Sequence, residues 1–130
     1  MRVVFDTNIF ISALVVPGGT ADRALQRIVD GEDTLILSPA VVEEALDVLA
    51  RKFERDAEQL ARVAVFLSEL GDVVRPSLRL CVLRDEADNR ILECALSGAA
   101  RAIVTGDRGL LDLGEYEEIR MLTLREYVST

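Results

Sequence analysis

The chain has 130 residues, half of them hydrophobic and only 5% aromatic, and carries a formal net charge of −8. A chain of this length builds one domain, here residues 1–130, that buries roughly two-thirds of its unfolded surface, and no apolar run approaches the ~20 residues of a membrane helix. The acidic balance argues against a generic nucleic-acid binder, whose nonspecific affinity comes from Lys and Arg on phosphates.

Only Lys52 among the 15 basic residues is Lys. Arg is the better planar fork for phosphate, but genomic composition bias is the favoured explanation of the imbalance. Met1-Arg2 runs into apolar residues without a signal-peptide layout, and Cys81 and Cys94 offer no disulfide framework, so a cytoplasmic setting is expected. The chain contains no His. Cys94 lies in an apolar helical segment and reads as a small core residue, which leaves oxygen as the ligand for any metal.

In chain order, residues 2 to 5 read as a buried strand that delivers Asp6 to its carboxyl edge, with an amphipathic stretch directly after it. The Pro17-Gly18-Gly19 stretch is the clearest loop. Residues 20 to 30 carry Ala21, Ala24, Leu25 and Ile28 at helical spacing, with Thr20 as an N-cap and Gly31 just past the end. Residues 34 to 37 form the second strand, and Ser38-Pro39 opens a helix whose apolar stripe is Val42, Ala45, Leu46, Leu49 and Phe53. A further helix carries Leu60, Val63, Ala64 and Leu67 and ends before Gly71. A strand follows at 72 to 74, then a helix capped by Asp85, then strands at 102 to 105 and 118 to 122. Strands alternating with helices imply βαβ units and a mostly parallel five-stranded sheet with helices on both faces.

Four carboxylates recur where a strand ends or a helix begins: Asp6, Glu44, Asp88 and Asp107. Ligands of open α/β sheets bind outside the carboxyl ends of the strands. Bare carboxylates gathered there repel, and one takes up a proton unless a cation neutralises them, so a divalent metal is the natural partner. Each acid also has a plainer reading. Asp6 and Asp107 are reasonable helix caps, and Glu44 fits a mixed polar face with Arg51 and Arg55 on its side. Asp88 fits a favourable charge at a helix N-terminus, although helical spacing sets it on the face of Ile91, Leu92 and Ala95. It is the convergence of all four on one sheet edge that points to a site.

Four segments carry a family likeness: Val3-Val4-Phe5-Asp6-Thr7-Asn8-Ile9, Ser38 through Glu44, Asp85-Glu86-Ala87-Asp88-Asn89, and Val104-Thr105-Gly106-Asp107-Arg108-Gly109-Leu110-Leu111. The chain resembles the PIN-domain ribonucleases, and within them the VapC-like toxin component of prokaryotic toxin–antitoxin systems; Leu122 through Tyr127 resembles the family's closing strand and short helix. The resemblance implies a three-layer α/β/α sandwich and metal-dependent RNA cleavage. By the same likeness Asp6, Glu44, Asp88 and Asp107 are the acidic positions, with Asn8 and Thr105 as supporting polar residues. Glu43 is an adjacent alternative to Glu44, and Asp85 is assigned to capping or an outer shell. The resemblance also implies an antitoxin partner and a homodimer.

Oxygen-only ligands suit Mg²⁺ or Mn²⁺. The expected chemistry is hydrolysis by a metal-activated water to a 5′-phosphate and a 3′-hydroxyl, with Asn8 and Thr105 orienting water or phosphate and Arg51 and Arg55 as candidate RNA contacts. A haloacid-dehalogenase-type phosphohydrolase also begins with an apolar strand and an Asp, but it wants a second acid where this chain has Asn8, and a suitably placed Lys. A noncatalytic RNA- or protein-binding module on the same fold is the other alternative.

Overall fold

The computed structural model describes residues 1–130. Six strands order as β3-β2-β1-β4-β6-β5, where β1 is Arg2–Phe5, β2 Thr34–Leu37, β3 Asp72–Val73, β4 Ala102–Val104, β5 Glu115–Tyr116 and β6 Ile119–Leu122. All neighbours are parallel except β5, which runs antiparallel to β6 at the edge. β1 lies centrally, with Val3 opposite both Leu35 and Ala102 and Phe5 opposite Val104. Its Val3-Val4-Phe5 run has no exposed surface, as a strand covered on both faces requires, and for that reason the run is continuous where a half-exposed strand would alternate.

The helices are α1 Thr7–Val15, α2 Thr20–Val29, α3 Pro39–Phe53, α4 Ala57–Leu70, α5 Glu86–Ser97, α6 Arg108–Leu113 and α7 Leu124–Val128. From β1 the chain steps outward to β2 and β3, then returns to the other side of β1 for β4 and β6. Right-handed crossovers that step in opposite directions carry their helices to opposite faces, which produces the three-layer α/β/α sandwich. The reversal between β1 and β4 leaves a crevice at their carboxyl ends, the switch point where open α/β sheets bind ligands.

The sheet has six strands where five are expected. β5 and β6 are joined by Glu117 and Glu118, both in the left-handed region at φ 49° and 69°. Two such residues make the hairpin turn whose twist matches its strands, but that turn is normally written with Asn and Gly, and two glutamates give no turn signal. Thr20 is the first residue of α2 and Gly19 occupies the cap position; Asp22 instead reaches back to accept from the Gly18 N–H at 2.7 Å. The buried stripe of α3 is Val41, Ala45, Val48 and Leu49, and Phe53 stands exposed. The stripe is turned toward Val41 and Val48 because α3 packs against α1 as well as α4 and α5. As expected, Cys94 is fully buried, its thiol directed at the Ile36 carbonyl, and Cys81 is exposed. No helix is long and apolar enough to cross a membrane.

Candidate active site

β1 and β4 are neighbours in register, so the residues that follow them emerge side by side above the switch point. Asp6 stands at the N-cap position of α1 with extended backbone, yet its side chain makes no capping bond. It accepts a hydrogen bond from Thr105 Oγ1 at 2.7 Å. The same Thr105 oxygen accepts from the Asp107 N–H at 2.9 Å, so one fully buried hydroxyl ties the end of β1 to the end of β4. Its only proton is committed to Asp6, which makes Thr105 a holder of the carboxylate.

Asp107 caps α6 by accepting from the Leu110 N–H at 3.1 Å. Asp85 caps α5, accepting from the Ala87 N–H at 2.9 Å, and one turn on, the inner face of α5 presents Asp88, which is 6% exposed. Asp85, Asp88 and Asp107 each offer an oxygen to one spot, these oxygens lying within 4.8 Å of one another. No ion pair of the protein involves Asp6, Asp85, Asp88 or Asp107.

The electrostatics follow from that crowding. Burial first, then a hydrogen bond that only a protonated carboxyl can donate to Asp107, then the charges of Asp107, Asp85 and Asp6 push Asp88 up to about 8. Burial and the charge of Asp107 also raise Asp6, against the opposing bond from Thr105. Two acids held above their ordinary range by burial first and then by neighbouring acids are what a shared cation relieves. The donor set is all oxygen and includes no His or Cys, the chemistry of Mg²⁺ or Mn²⁺.

Gly109, at the start of α6, keeps the space beside these oxygens open. A Cβ there would sit 3.1 Å from Asp107 Oδ2 and 3.5 Å from Asp88 Oδ2.

Of the acids singled out in the sequence, Asp6, Asp88 and Asp107 therefore converge. Glu44 is half-buried and lies outside the three-carboxylate group. It lines an adjoining cleft of about 50 Å³ together with Thr7, Ala87 and Arg90, two of which are the chain neighbours of Asp6 and Asp88. Glu43 points to solvent on the other side of the helix. Asn8 is exposed and its side chain makes no hydrogen bond. Arg51 pairs with Asp47 at 3.0 Å on the solvent side, two turns along α3 from Glu44, and Arg55 lies beyond the end of that helix.

Asp85 does more than cap, and Gly109 was not readable as a site residue, because its significance depends on which oxygens face its missing Cβ. Asn89 was likewise missed. Fully buried, it accepts from the Val82 and Leu83 N–H groups at 3.1 and 2.8 Å and donates to the Leu83 carbonyl at 2.8 Å. It thus fastens the segment that leads into the site, and the sequence carries no clear signal of it, since Asn89 shares its helix face with Glu93.

Comparison with known proteins agrees with this architecture. The chain is 31% identical over 117 residues to the uncharacterized protein MJ1680 of Methanocaldococcus jannaschii, a match covering 87% of this chain and 75% of that one. Among solved structures it is similar to VapBC2 from Rickettsia felis, crystallised with a DNA fragment from their promoter, with a TM-score of 0.68 at 14% identity, covering 95% of this chain and 98% of that one. It is similar also to VapBC-1 from nontypeable Haemophilus influenzae, with a TM-score of 0.68 at 19% identity over 96% and 99% of the two chains. At these identities the structural matches speak for the fold. The family model for the PIN domain matches residues 2–109, and the chain belongs to that family.

Proposed function

We propose that this protein is a ribonuclease that uses Mg²⁺ or Mn²⁺ to hydrolyse RNA phosphodiester bonds, as the toxin of a toxin–antitoxin pair. The observation that carries the reading is the set of carboxylates at the switch point: three oxygens within 4.8 Å and Asp6 tied alongside by Thr105, with no cationic side chain paired to any of them. A structural cluster of acids would be paired with Arg or Lys. This one is left with a charge that costs the free protein stability.

Asp6, Asp88 and Asp107 hold the cation, with Asp85 within reach and Glu44 supplying the acid on the α3 side of the cleft. A divalent cation held there would lower the pKa of a water and offset charge on the phosphate oxygens. Thr105 keeps Asp6 oriented and couples it to Asp107, while Gly109 leaves the space into which the scissile phosphate enters. Asn8, free at the mouth of the site, orients water or phosphate. No side chain acts as nucleophile, and the products carry a 5′-phosphate and a 3′-hydroxyl. The VapBC likeness supports an antitoxin that covers this site, with the toxin acting in the cytoplasm as one PIN domain over residues 1–130 and pairing as a homodimer.

The test is cleavage of labelled single-stranded and structured RNAs with Mg²⁺, Mn²⁺ or EDTA, alongside Asp6→Asn and Asp88→Asn. Metal-dependent cutting lost in both variants is expected. Cutting retained in both, or undiminished in EDTA, would refute the assignment.

A further inference from the structure

An acidic nuclease must still hold a polyanion, and two of its polar cavities differ in how they are charged. The largest, about 850 Å³, lies at the amino edge of the sheet. There Arg27, Arg101, Arg120 and the N-terminus face Asp33, Glu115, Glu118 and Glu126, a balance that favours no anion. A second cavity of about 410 Å³ lies between the start of α3 and the segment after β3, and three of its side chains are Arg75, Arg79 and Arg90 with Glu93 as the one acid.

That acid is already occupied. Glu93 forms an ion pair with Arg90 at 2.8 Å and accepts from the Leu80 N–H at 2.8 Å, while Arg90 also donates to the Leu80 carbonyl at 3.2 Å and to Glu86 at 3.3 Å. These bonds, with those of Asn89, fix the arginine-bearing segment onto α5 before any ligand arrives. Arg75 and Arg79 make no ion pair or hydrogen bond, and Arg90 keeps a buried Nε–H without a partner. The opposite wall is Ser38-Pro39-Ala40, the positive end of the 15-residue helix α3.

The cavity also borders the cleft beside the carboxylates. Ala40 and Arg90 line both it and the cleft that holds Glu44, Thr7 and Ala87. The two therefore adjoin, and Thr7 and Ala87 of the second are the chain neighbours of Asp6 and Asp88.

We propose that the Arg75–Arg79–Arg90 cavity is a phosphate subsite that seats the sugar-phosphate backbone of single-stranded RNA flanking the scissile bond. The inference rests on the ribonuclease reading and extends it. No aromatic side chain lines the cavity, so it offers nothing for bases to stack on, and its contribution is to affinity without sequence preference. An acidic protein segment would meet uncompensated carboxylates beyond the adjoining cleft, whereas a phosphodiester shares their cation.

The experiment measures binding apart from cleavage. Fluorescence anisotropy of labelled single-stranded RNAs of unrelated sequence is recorded across ~50–200 mM salt with Ca²⁺ as the neutralising ion, RNA integrity being checked on gels. The proteins are the wild type, Arg75→Glu/Arg79→Glu, Arg75→Lys/Arg79→Lys and, as a distant control, Arg125→Glu. The glutamate pair is expected to weaken binding about 10-fold or more for every sequence and to flatten the salt slope by about 1.4, about 0.7 for each phosphate of a single strand that is no longer neutralised. The lysine pair should retain most of the slope, the control all of it, and none should unfold at a lower temperature.

Unchanged affinity and slope in the glutamate pair, or no measurable RNA binding by the wild type, would overturn the proposal, the first leaving the cavity to an acidic segment of a protein partner. The two readings separate cleanly. Mn²⁺-dependent cutting with unchanged binding in the glutamate pair removes the subsite and keeps the nuclease. Weakened binding with no cutting in any metal keeps the subsite and removes the nuclease.

Discussion

Asp33 and Asp88 both carry nearly covered carboxylates, at opposite edges of one sheet, and they are treated in opposite ways. Asp33, at the amino edge, has a side chain 6% exposed and receives the N-terminal ammonium at 2.7 Å, Tyr127 Oη at 2.6 Å and Arg27 at 3.2 Å. Burial alone would raise it, but these donors hold its carboxyl below the usual range. Asp88, at the carboxyl edge, has other carboxylates where Asp33 has cations, and it is pushed up to about 8. The amino-edge acid is complete within the chain and serves the fold, stapling α2 and α7 to the start of β2. The carboxyl-edge acid is incomplete within the chain, and incompleteness in a buried charged group points to a partner from outside.

The sharpest way to break that contrast is substitution at each end. Asp88→Asn should abolish RNA cleavage, a loss exceeding the roughly 10–100-fold typical of outer-shell residues, while melting at the same temperature as the wild type or higher in EDTA near pH 8. Asp33→Ala should leave the rate per folded molecule unchanged and cost about 3 kcal/mol, the scale for breaking a buried pair, or roughly 10 °C in Tm for a chain of this size. A large stability loss in Asp88→Asn would make the two acids alike and end the distinction.

The pH dependence of stability separates the edges again. A group whose folded pKa is raised contributes stability below its unfolded pKa and loses it as pH rises through the folded value. The metal-free protein should therefore lose stability through Asp88 between about pH 4 and 8. Asp33 has the opposite sign, its contribution being present above about pH 4 and lost as acid protonates it. Thermal melts against pH in EDTA should show the decline toward pH 8, Asp88→Asn should flatten it, and Mn²⁺ at 100 times its Kd should restore about 2.7 kcal/mol. An identical decline in Asp88→Asn would assign the slope elsewhere.

Gly109→Ala tests the space beside the carboxylates. Alanine ordinarily stabilises a helix by up to about 1 kcal/mol over glycine, so this variant should melt no lower than the wild type while cutting about 10-fold more slowly, the added Cβ meeting Asp107 and Asp88. Unchanged activity would show that the space is not used. The smallest effect is expected at Arg51→Glu/Arg55→Glu. Arg51 is an exposed partner of Asp47, a kind of pair worth under about 1 kcal/mol, and RNA affinity should fall less than 3-fold. A loss as large as that of Arg75→Glu/Arg79→Glu would move the binding path onto α3.

Much of this was legible in one dimension. Val3-Val4-Phe5-Asp6 and Ala102 through Asp107 announce buried strands that end in acids, because a strand covered on both faces must be continuously apolar and can turn polar only where it leaves the sheet. Asp85 and Asp88 are readable from caps and helical spacing. The β5 strand was not, since its turn is built from Glu117 and Glu118. The facing of Glu44 was only partly readable, since one stripe of α3 must serve three neighbouring helices.

The sequence alone therefore determined the α/β alternation, the parallel sheet and the acids at strand ends with no His to join them, all consequences of local spacing and residue type. Tertiary structure decided what depends on distance between segments remote in the chain. It set Thr105 between Asp6 and Asp107, Gly109 beside Asp88, and Arg75 and Arg79 against the start of α3, and it settled which buried acid found its cations within the chain. Local patterns set where a side chain leaves its element, but only the packing of the sheet and its two helical layers sets what it meets.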